Sequence, residues 1–166
     1  MSPETATAPL LDRPTLSELP VEHLFDMRVD LEPAQLIETA VGNRMTFIAK
    51  GGRFEGQKLN GEVLPGGGDW LLVGSDVVGR ADIRATIRTD DDALIHYTGL
   101  GIIKVPADGL ERLAAGERLP FEETYVRITP RFETSDERYA WLSEIVAVSH
   151  NELSKDHIDY RIYKVL

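Results

Sequence analysis

Apolar and polar residues alternate with a period of two along most of this chain, as they do in strands that turn one face to a core. Phe25, Met27, Val29 and Leu31 alternate with Asp26, Arg28 and Asp30 until Glu32–Pro33 ends the run. Ala81, Ile83, Ala85 and Ile87 alternate with Asp82, Arg84, Thr86 and Arg88. Asp90–Asp92 turns that segment into Ala93–Lys104, and the two predict the best-defined hairpin of the molecule. Further strands are expected at about Leu36–Thr39, Arg44–Glu55 (carrying Met45, Phe47 and Ile48), Trp70–Gly74, Glu123–Pro130, Ser143–His150 and His157–Leu166. Turns fall at Gly42–Asn43, Gly56–Asn60 and Pro65–Gly68.

Two segments predict helices. One runs from Ala107 to Ala115, with Asp108 as cap, Leu110, Leu113 and Ala114 on one face and Gly116 as the stop. The other is a turn or two over Ser135–Leu142, opened by Thr134 and Glu137 at capping-box spacing. The remainder reads as nine or ten hairpin-linked strands without a βαβ rhythm. Such a chain is all-β, and closure into a single antiparallel, calycin-like barrel with a central cavity hides its many edges.

Glycine placement points the same way. Seven of the 14 glycines lie in Gly51–Trp70, at 51, 52, 56, 61 and 66–68, too dispersed for one phosphate loop. They punctuate short apolar runs, as glycine does where strands bulge or pass close to another backbone in a strongly curved sheet. Prolines at 3, 9, 14 and 20 deny the first twenty residues a helix or a central strand. Residues 1–20 are therefore expected to form an extended or disordered arm, and 21–166 the barrel domain.

Composition narrows the partners. With 166 residues the chain is expected to be one domain with an adequate core. A net charge of −10, with arginines and lysines scattered singly among acids, argues against nucleic acid and anionic membranes. No apolar run reaches the roughly 18 residues of a membrane span. The start of the chain lacks the basic end and apolar stretch of a signal peptide, and there is no cysteine, so a cytoplasmic protein is expected. The acidic surface and N-terminal arm make a homodimer conceivable. Histidines 23, 96, 150 and 157 are scattered, and His150 and His157, with Glu152 and Asp156 nearby, fall short of a metal motif. No H-E-x-x-H, Walker loop, dinucleotide fingerprint or nucleophile elbow occurs, so neither metal nor cofactor is expected.

The order of several short motifs resembles a known family. Gly42–Arg44, Gly51–Gly56 (Gly-Gly-x-Phe-x-Gly), Leu59–Gly61 and Gly67–Trp70 (Gly-x-Asp-Trp) come first. Ala81–Arg84, Arg88–Asp91, Tyr125–Arg127, Pro130–Thr134 and Tyr139–Leu142 follow. Together they resemble the small bacterial and fungal barrel family called domain of unknown function 3237, over roughly Leu24 to Leu166. The resemblance implies a closed or nearly closed antiparallel barrel with a central cavity, and it brings no function. Asp92 stands where that family usually has glycine, which bears on the type of the hairpin turn.

Function must then come from the residues. Asp69 beside Trp70, where a tight turn re-enters a strand, could place a carboxylate and an indole at a barrel mouth; the alternative is a turn followed by a core tryptophan. Cofactor-free acid–base chemistry needs such a carboxylate and a cation or phenol to hold a developing oxyanion. Arg44 or Arg127, with Tyr125, could supply the second part, making Asp69, Arg44, Tyr125 and Arg127 the candidate catalytic set. Trp70, Asp82, Arg84, Tyr97, Glu133 and Trp141 are candidates for binding substrate. Each has a plain structural alternative: Asp82 and Arg84 could lie on a solvated face, Val126 and Ile128 could be the core side of the Tyr125–Arg127 strand, Glu133 could complement a helix N-terminus, and Trp141 could be core. The set would suit a lyase of hydratase type acting on an α,β-unsaturated carbonyl compound. The alternatives are a carrier or sensor for a small apolar ligand, and an isomerase working through an enolate.

Overall fold

The computed structural model describes residues 14–166 and contains ten strands. They are β1 (Val21–Leu31), β2 (Gln35–Thr39), β3 (Gly42–Glu55), β4 (Asn60–Val63), β5 (Gly68–Val73), β6 (Gly79–Thr89), β7 (Leu94–Lys104), β8 (Tyr125–Glu133), β9 (Ala147–Leu153) and β10 (His157–Val165). A single short helix, α1 (Gly109–Ala114), and 3-10 turns at Phe121–Glu123 and Ala140–Glu144 fill the connections. The first thirteen residues of the expected arm lie outside the described residues; 14–20 are exposed and belong to neither helix nor strand.

All pairings are antiparallel. The sheet closes as an eight-stranded barrel with two extra strands. The circuit runs β1, β10, β9, β8, β7, β6, then the short strands β4 and β5 in one shared position, then β3, which returns to β1. The expected all-β barrel is therefore the fold. β2 hangs on β3 outside this circuit, and all five of its residues are exposed.

Strand phase decides what enters the lumen. Phe25, Met27, Val29 and Leu31 of β1 face inward, as do Ala81, Ile83 and Ile87 of β6, and all are buried. On β3 the inward phase changes once. Asp30 pairs with Gly51 but Leu31 pairs with Ala49, so Lys50 is an extra residue in the ladder. Before it Met45, Phe47 and Ala49 face the lumen, and after it Gly52 and Phe54 do. Gly52 lies between Val29 of β1 and Val63 of β4, and a Cβ there would stand 2.1 Å from the Arg28 carbonyl oxygen. Only glycine lets these three strands pack that closely.

Some local expectations are corrected. The β2–β3 turn lies at Ala40–Val41, and Gly42–Asn43 already belong to β3, because β2 pairs through Thr39 to Gly42. The Ser135–Leu142 helix is absent. The Thr134 hydroxyl donates to the Leu94 carbonyl and accepts from the Asp136 N–H, so it caps no α-helix. The chain makes a 3-10 turn at Ala140–Glu144 instead, which delays β9 to Ala147. In the β6–β7 hairpin Asp92 takes φ +67°, a left-handed conformation that aspartate tolerates in place of glycine. Asp91 ties the tip down, accepting from the hydroxyls of Thr89 (2.6 Å) and Tyr139 (2.9 Å) and from Arg138 (2.8 Å).

Two levels of the lumen differ. Towards the end bearing the 56–59, 90–93 and 134–146 connections, Phe25 packs on Phe54 (5.3 Å between ring centroids) and Phe132 (5.9 Å), above Leu59, Ile87, Ile95 and Leu142. All of these are buried. Towards the other end, Met45, Phe47, Val73, Ile103 and Ile158 also face inward, yet they are only half-buried. A second small cluster of Leu119, Val126 and Leu153, with Leu113 of α1 packed on it, covers part of that end. The barrel is thus plugged at one end and only partly covered at the other.

Candidate active site in the barrel lumen

Asp69 is the first charged residue of β5, held between Phe47 of β3 and Ile83 of β6. The turn ending at Gly67 sets the phase of β5, so Asp69 and Leu71 point inward and Trp70 points out. The β5–β6 ladder is interrupted after Asp69, and the Asp82 N–H donates to Asp69 Oδ1 at 2.9 Å instead. Asp69 as a whole residue is 8% exposed. Burial pushes its pKa up to about 6; the Asp82 N–H opposes the shift, and the negative charge of Asp82 adds to it.

Two phenols reach the same place. Tyr97 on β7 is 0% exposed, and its hydroxyl has no hydrogen-bond partner among the described residues. Tyr160 on β10 is buried as well. Burial holds both hydroxyls protonated well above the usual tyrosine range, and the Asp69 charge reinforces this in each. The Tyr97 ring lies edge-on to Phe132 at 5.7 Å, which fixes it against the plugged end. Gly99, next on the same face of β7, leaves room for it, since a Cβ there would lie 3.2 Å from Tyr97 Oη and 2.7 Å from Ile128 Cγ2.

These three side chains line a partly enclosed cavity of about 30 Å³, otherwise walled by Met27, Val29, Leu31, Phe47, Ala49, Gly68, Ile83, Ala85 and Ile158, with Arg84 also at its wall and its guanidinium turned to Asp82. Ser149 and Asn151 of β9 are also buried, with the Ser149 hydroxyl donating to Asn151 Oδ1 at 2.8 Å, and Asn151 pairs with Tyr160 in the β9–β10 register. Tyr160, Ser149 and Asn151 were not among the expected site residues. Their signal was nonetheless available: each sits in phase with buried apolar neighbours on its own strand.

The expected meeting of Asp69 with Arg44, Tyr125 and Arg127 does not occur. Alternation turns Arg44 outward beside Met45, where its Nη1 lies 3.5 Å from the Trp70 carbonyl oxygen. Val126 and Ile128 take the inward face of β8, leaving Tyr125 exposed and Arg127 stacked between the rings of Phe121 (4.5 Å) and Tyr125 (4.9 Å). Trp70 is 38% exposed on the outer wall, with the Arg84 guanidinium 5.9 Å from its ring and Arg84 paired to Asp82 at 3.1 Å. Glu133 is exposed at the end of β8, opposite His96. Trp141 packs half-buried against the core at the plugged end, with the Lys58 ammonium 5.5 Å from its ring. Of the ten expected residues, Asp69, Tyr97 and Arg84 line the lumen cavity, Arg84 with its guanidinium turned out to Asp82.

A larger groove of about 350 Å³ runs outside the barrel over β3, β1, β10 and β9. Its charges satisfy one another, with bidentate pairs between Arg28 and Asp159 (2.7 and 2.9 Å) and between Arg161 and Asp26 (2.9 and 2.8 Å). The His150 ring lies tilted against Phe121, 3.9 Å between centroids, and His157 bonds Asp156 at 2.7 Å. Among the described residues no three histidine, aspartate or glutamate side chains gather as metal ligands, and no helix is long and apolar enough to cross a membrane.

Fold and lumen define a closed antiparallel β-barrel with a small polar centre buried between apolar walls. The chain belongs to the family described as protein of unknown function (DUF3237), whose sequence pattern matches residues 19–165. A UPF0311 protein of Clostridium acetobutylicum is 29% identical over 157 residues, spanning 93% of this chain and 99% of that relative. A crystal structure described as a beta-barrel like protein from Acinetobacter baumannii is 32% identical, with a TM-score of 0.76 over 94% of this chain and all of the other. A crystal structure described as an enzyme from Penicillium herquei shares the fold with a TM-score of 0.69 at 22% identity, over 95% of this chain and all of that one.

Proposed function

We propose that this barrel is a cofactor-independent acid–base enzyme of lyase type, adding water to, or eliminating it from, a small α,β-unsaturated carbonyl compound. One observation carries the reading: a buried carboxyl group whose pKa is pushed up to about 6 shares a small lumen cavity with a buried phenol that has no hydrogen-bond partner among the described residues. A carboxyl group tuned this way exchanges protons readily near neutral pH, which suits a general acid–base. The oxyanion that develops on a carbonyl would accept from the phenol of Tyr160 rather than from Arg44 or Arg127, which lie outside. The half-buried ring of Met45, Phe47, Val73, Ile103 and Ile158 would receive the apolar body of the substrate, with its reacting edge directed at Asp69.

The same apolar ring favours a second reading, a carrier or sensor that holds a small apolar ligand unchanged. Turnover separates the two. The protein is incubated with a panel of unsaturated lactones and cyclic enones in heavy-oxygen water, and products are read by mass spectrometry. The lyase reading expects label in a hydrated product, with Asp69→Asn lowering the rate by about 10²-fold or more. Unchanged turnover in Asp69→Asn removes Asp69 from the chemistry, and tight binding of panel compounds without turnover leaves the carrier.

A further inference from the structure

The cavity lined by Asp69, Tyr97 and Tyr160 is too small for any substrate the mouth could admit. Its volume of about 30 Å³ is room for one water, whereas pockets for organic ligands run to roughly 300 Å³ and more. Its chemistry is equally specific. The Tyr97 hydroxyl is wholly buried with no partner among the described residues, a state that costs free energy unless a polar occupant satisfies it. One Asp69 oxygen is engaged by the Asp82 N–H, and the other can accept from such an occupant. A methyl or ring edge would leave the phenol unpaired. A carboxylate would meet the Asp69 charge, and no lysine or histidine lines the space, while the Arg84 guanidinium is turned out to Asp82.

We infer that this cavity is a binding site for a single water molecule, held between the Asp69 carboxyl group and the Tyr97 hydroxyl with Tyr160 on its wall. Resting on the acid–base reading above, this is the water that the reaction adds or releases. In the addition direction the Asp69 carboxylate takes one proton from the water as the water oxygen bonds the β-carbon. The electron pair of the carbon–carbon double bond shifts, and the carbonyl oxygen becomes an enolate oxygen that accepts from a phenol. The proton on Asp69 then passes to the α-carbon, so H and OH have added across the double bond and the carboxylate is restored. Every atom comes from water or substrate. The slot places water on the inner, plugged side of the substrate, so attack comes from the barrel interior, and an isomerase would have no use for it.

Magnetic relaxation dispersion of deuterium and oxygen-17 in water counts the molecules that stay bound longer than the protein tumbles. The wild type is compared with Tyr97→Phe and with Leu100→Ala, a change on the exposed outer wall. The inference expects one more long-lived water in the wild type and in Leu100→Ala than in Tyr97→Phe. The same count in all three overturns it. Should Tyr97→Phe fail to fold, a high-resolution crystal structure of the wild type decides, because density within hydrogen-bond reach of Tyr97 Oη supports the site and a dry cavity overturns it. Heavy-oxygen incorporation then separates the two layers. A long-lived water with label in product, falling at least tenfold in Tyr97→Phe, supports the role of that water. A long-lived water with no label in any product keeps the water site and overturns both its role and the lyase reading.

Discussion

The two ends of this barrel lumen are built from the same kind of strand and do opposite things. At the plugged end, inward positions carry large rings and branched chains, Phe25, Phe54, Phe132, Ile87 and Ile95, and the 134–146 connection closes over them with Leu142. At the other end inward positions include Ala81, Ala85, Gly99 and Gly101, and five larger apolar side chains there, Met45, Phe47, Val73, Ile103 and Ile158, stay half-buried. The polar groups Asp69, Tyr97 and Tyr160 sit where one regime gives way to the other. A barrel of this size normally fills its interior with side chains. Here filling one end supplies the stability that allows the other to hold a costly buried carboxyl group.

The largest effect should come from the plug. Phe25→Ala removes a ring that is 0% exposed and wedged against two others, and is expected to cost about 3–5 kcal/mol in urea unfolding. Met45→Ala at the open end should cost about 1–2 kcal/mol, because a half-buried side chain loses less on truncation. Equal losses at the two positions would mean that the open end is packed as tightly as the plug, and the division would fail.

Much of this division was legible in the chain. Strict alternation over 25–31 and 81–87 marked the apolar faces that turn inward, because each segment pairs without a break along one neighbour, Phe25–Asp30 with β10 and Ala81–Ile87 with β7. The turn before Gly68 put Asp69 in phase with Leu71. Other features were hidden for physical reasons. The extra residue at Lys50 falls next to Gly51–Gly52, where no side chain marks the change of phase, and Ile48 falls on the opposite face from Met45 and Phe47. Tyr125 and Arg127 share a face, as expected, but Val126 and Ile128 outcompete them for the lumen. Tyr160 alternates with Ile158 and Ile162 like any core aromatic, and nothing in a single strand reveals that its hydroxyl meets groups from β5 and β7. Arg44 was a candidate because a cation was sought beside the carboxyl group; alternation turns it outward, and the side chains beside Asp69 in the lumen are phenols.

The buried carboxyl group makes a smaller, pH-dependent prediction that sharpens the contrast. In the folded chain the Asp69 pKa is raised to about 6, whereas in the unfolded chain it is about 4. The folded state therefore holds the proton more tightly. Its contribution to stability is fully present below about pH 4 and is lost as pH rises through about 6. Two pKa units correspond to at most about 3 kcal/mol, so Asp69→Asn should stabilise the protein by up to that amount at pH 8 and by little at pH 4. The asparagine oxygen can still accept the Asp82 N–H. Urea midpoints of both proteins at pH 4, 6 and 8 check this, and a difference that does not grow with pH would mean that Asp69 is not buried as a charge. The plug variants should show no such pH trend.

The smallest effect is the most discriminating, because its sign depends on what lies beside Tyr97. Removing a buried hydroxyl that has no partner should be neutral or slightly stabilising, since the group is relieved of an unsatisfied polar atom. Removing one that is hydrogen-bonded should cost about 1 kcal/mol. With an occupant held between its hydroxyl and Asp69, Tyr97→Phe is expected to lower stability by about 1 kcal/mol. The loss should be seen with m unchanged, since the phenyl ring still packs on Phe132 at the edge of the plug. A double mutant with Asp69→Asn makes the link explicit: coupling of about 0.5 kcal/mol or more between the two changes is expected if one shared partner joins them, and simple additivity if each stands alone. Additivity would separate the carboxyl group from the phenol and leave the open end as a widened, unfilled stretch of lumen rather than a site.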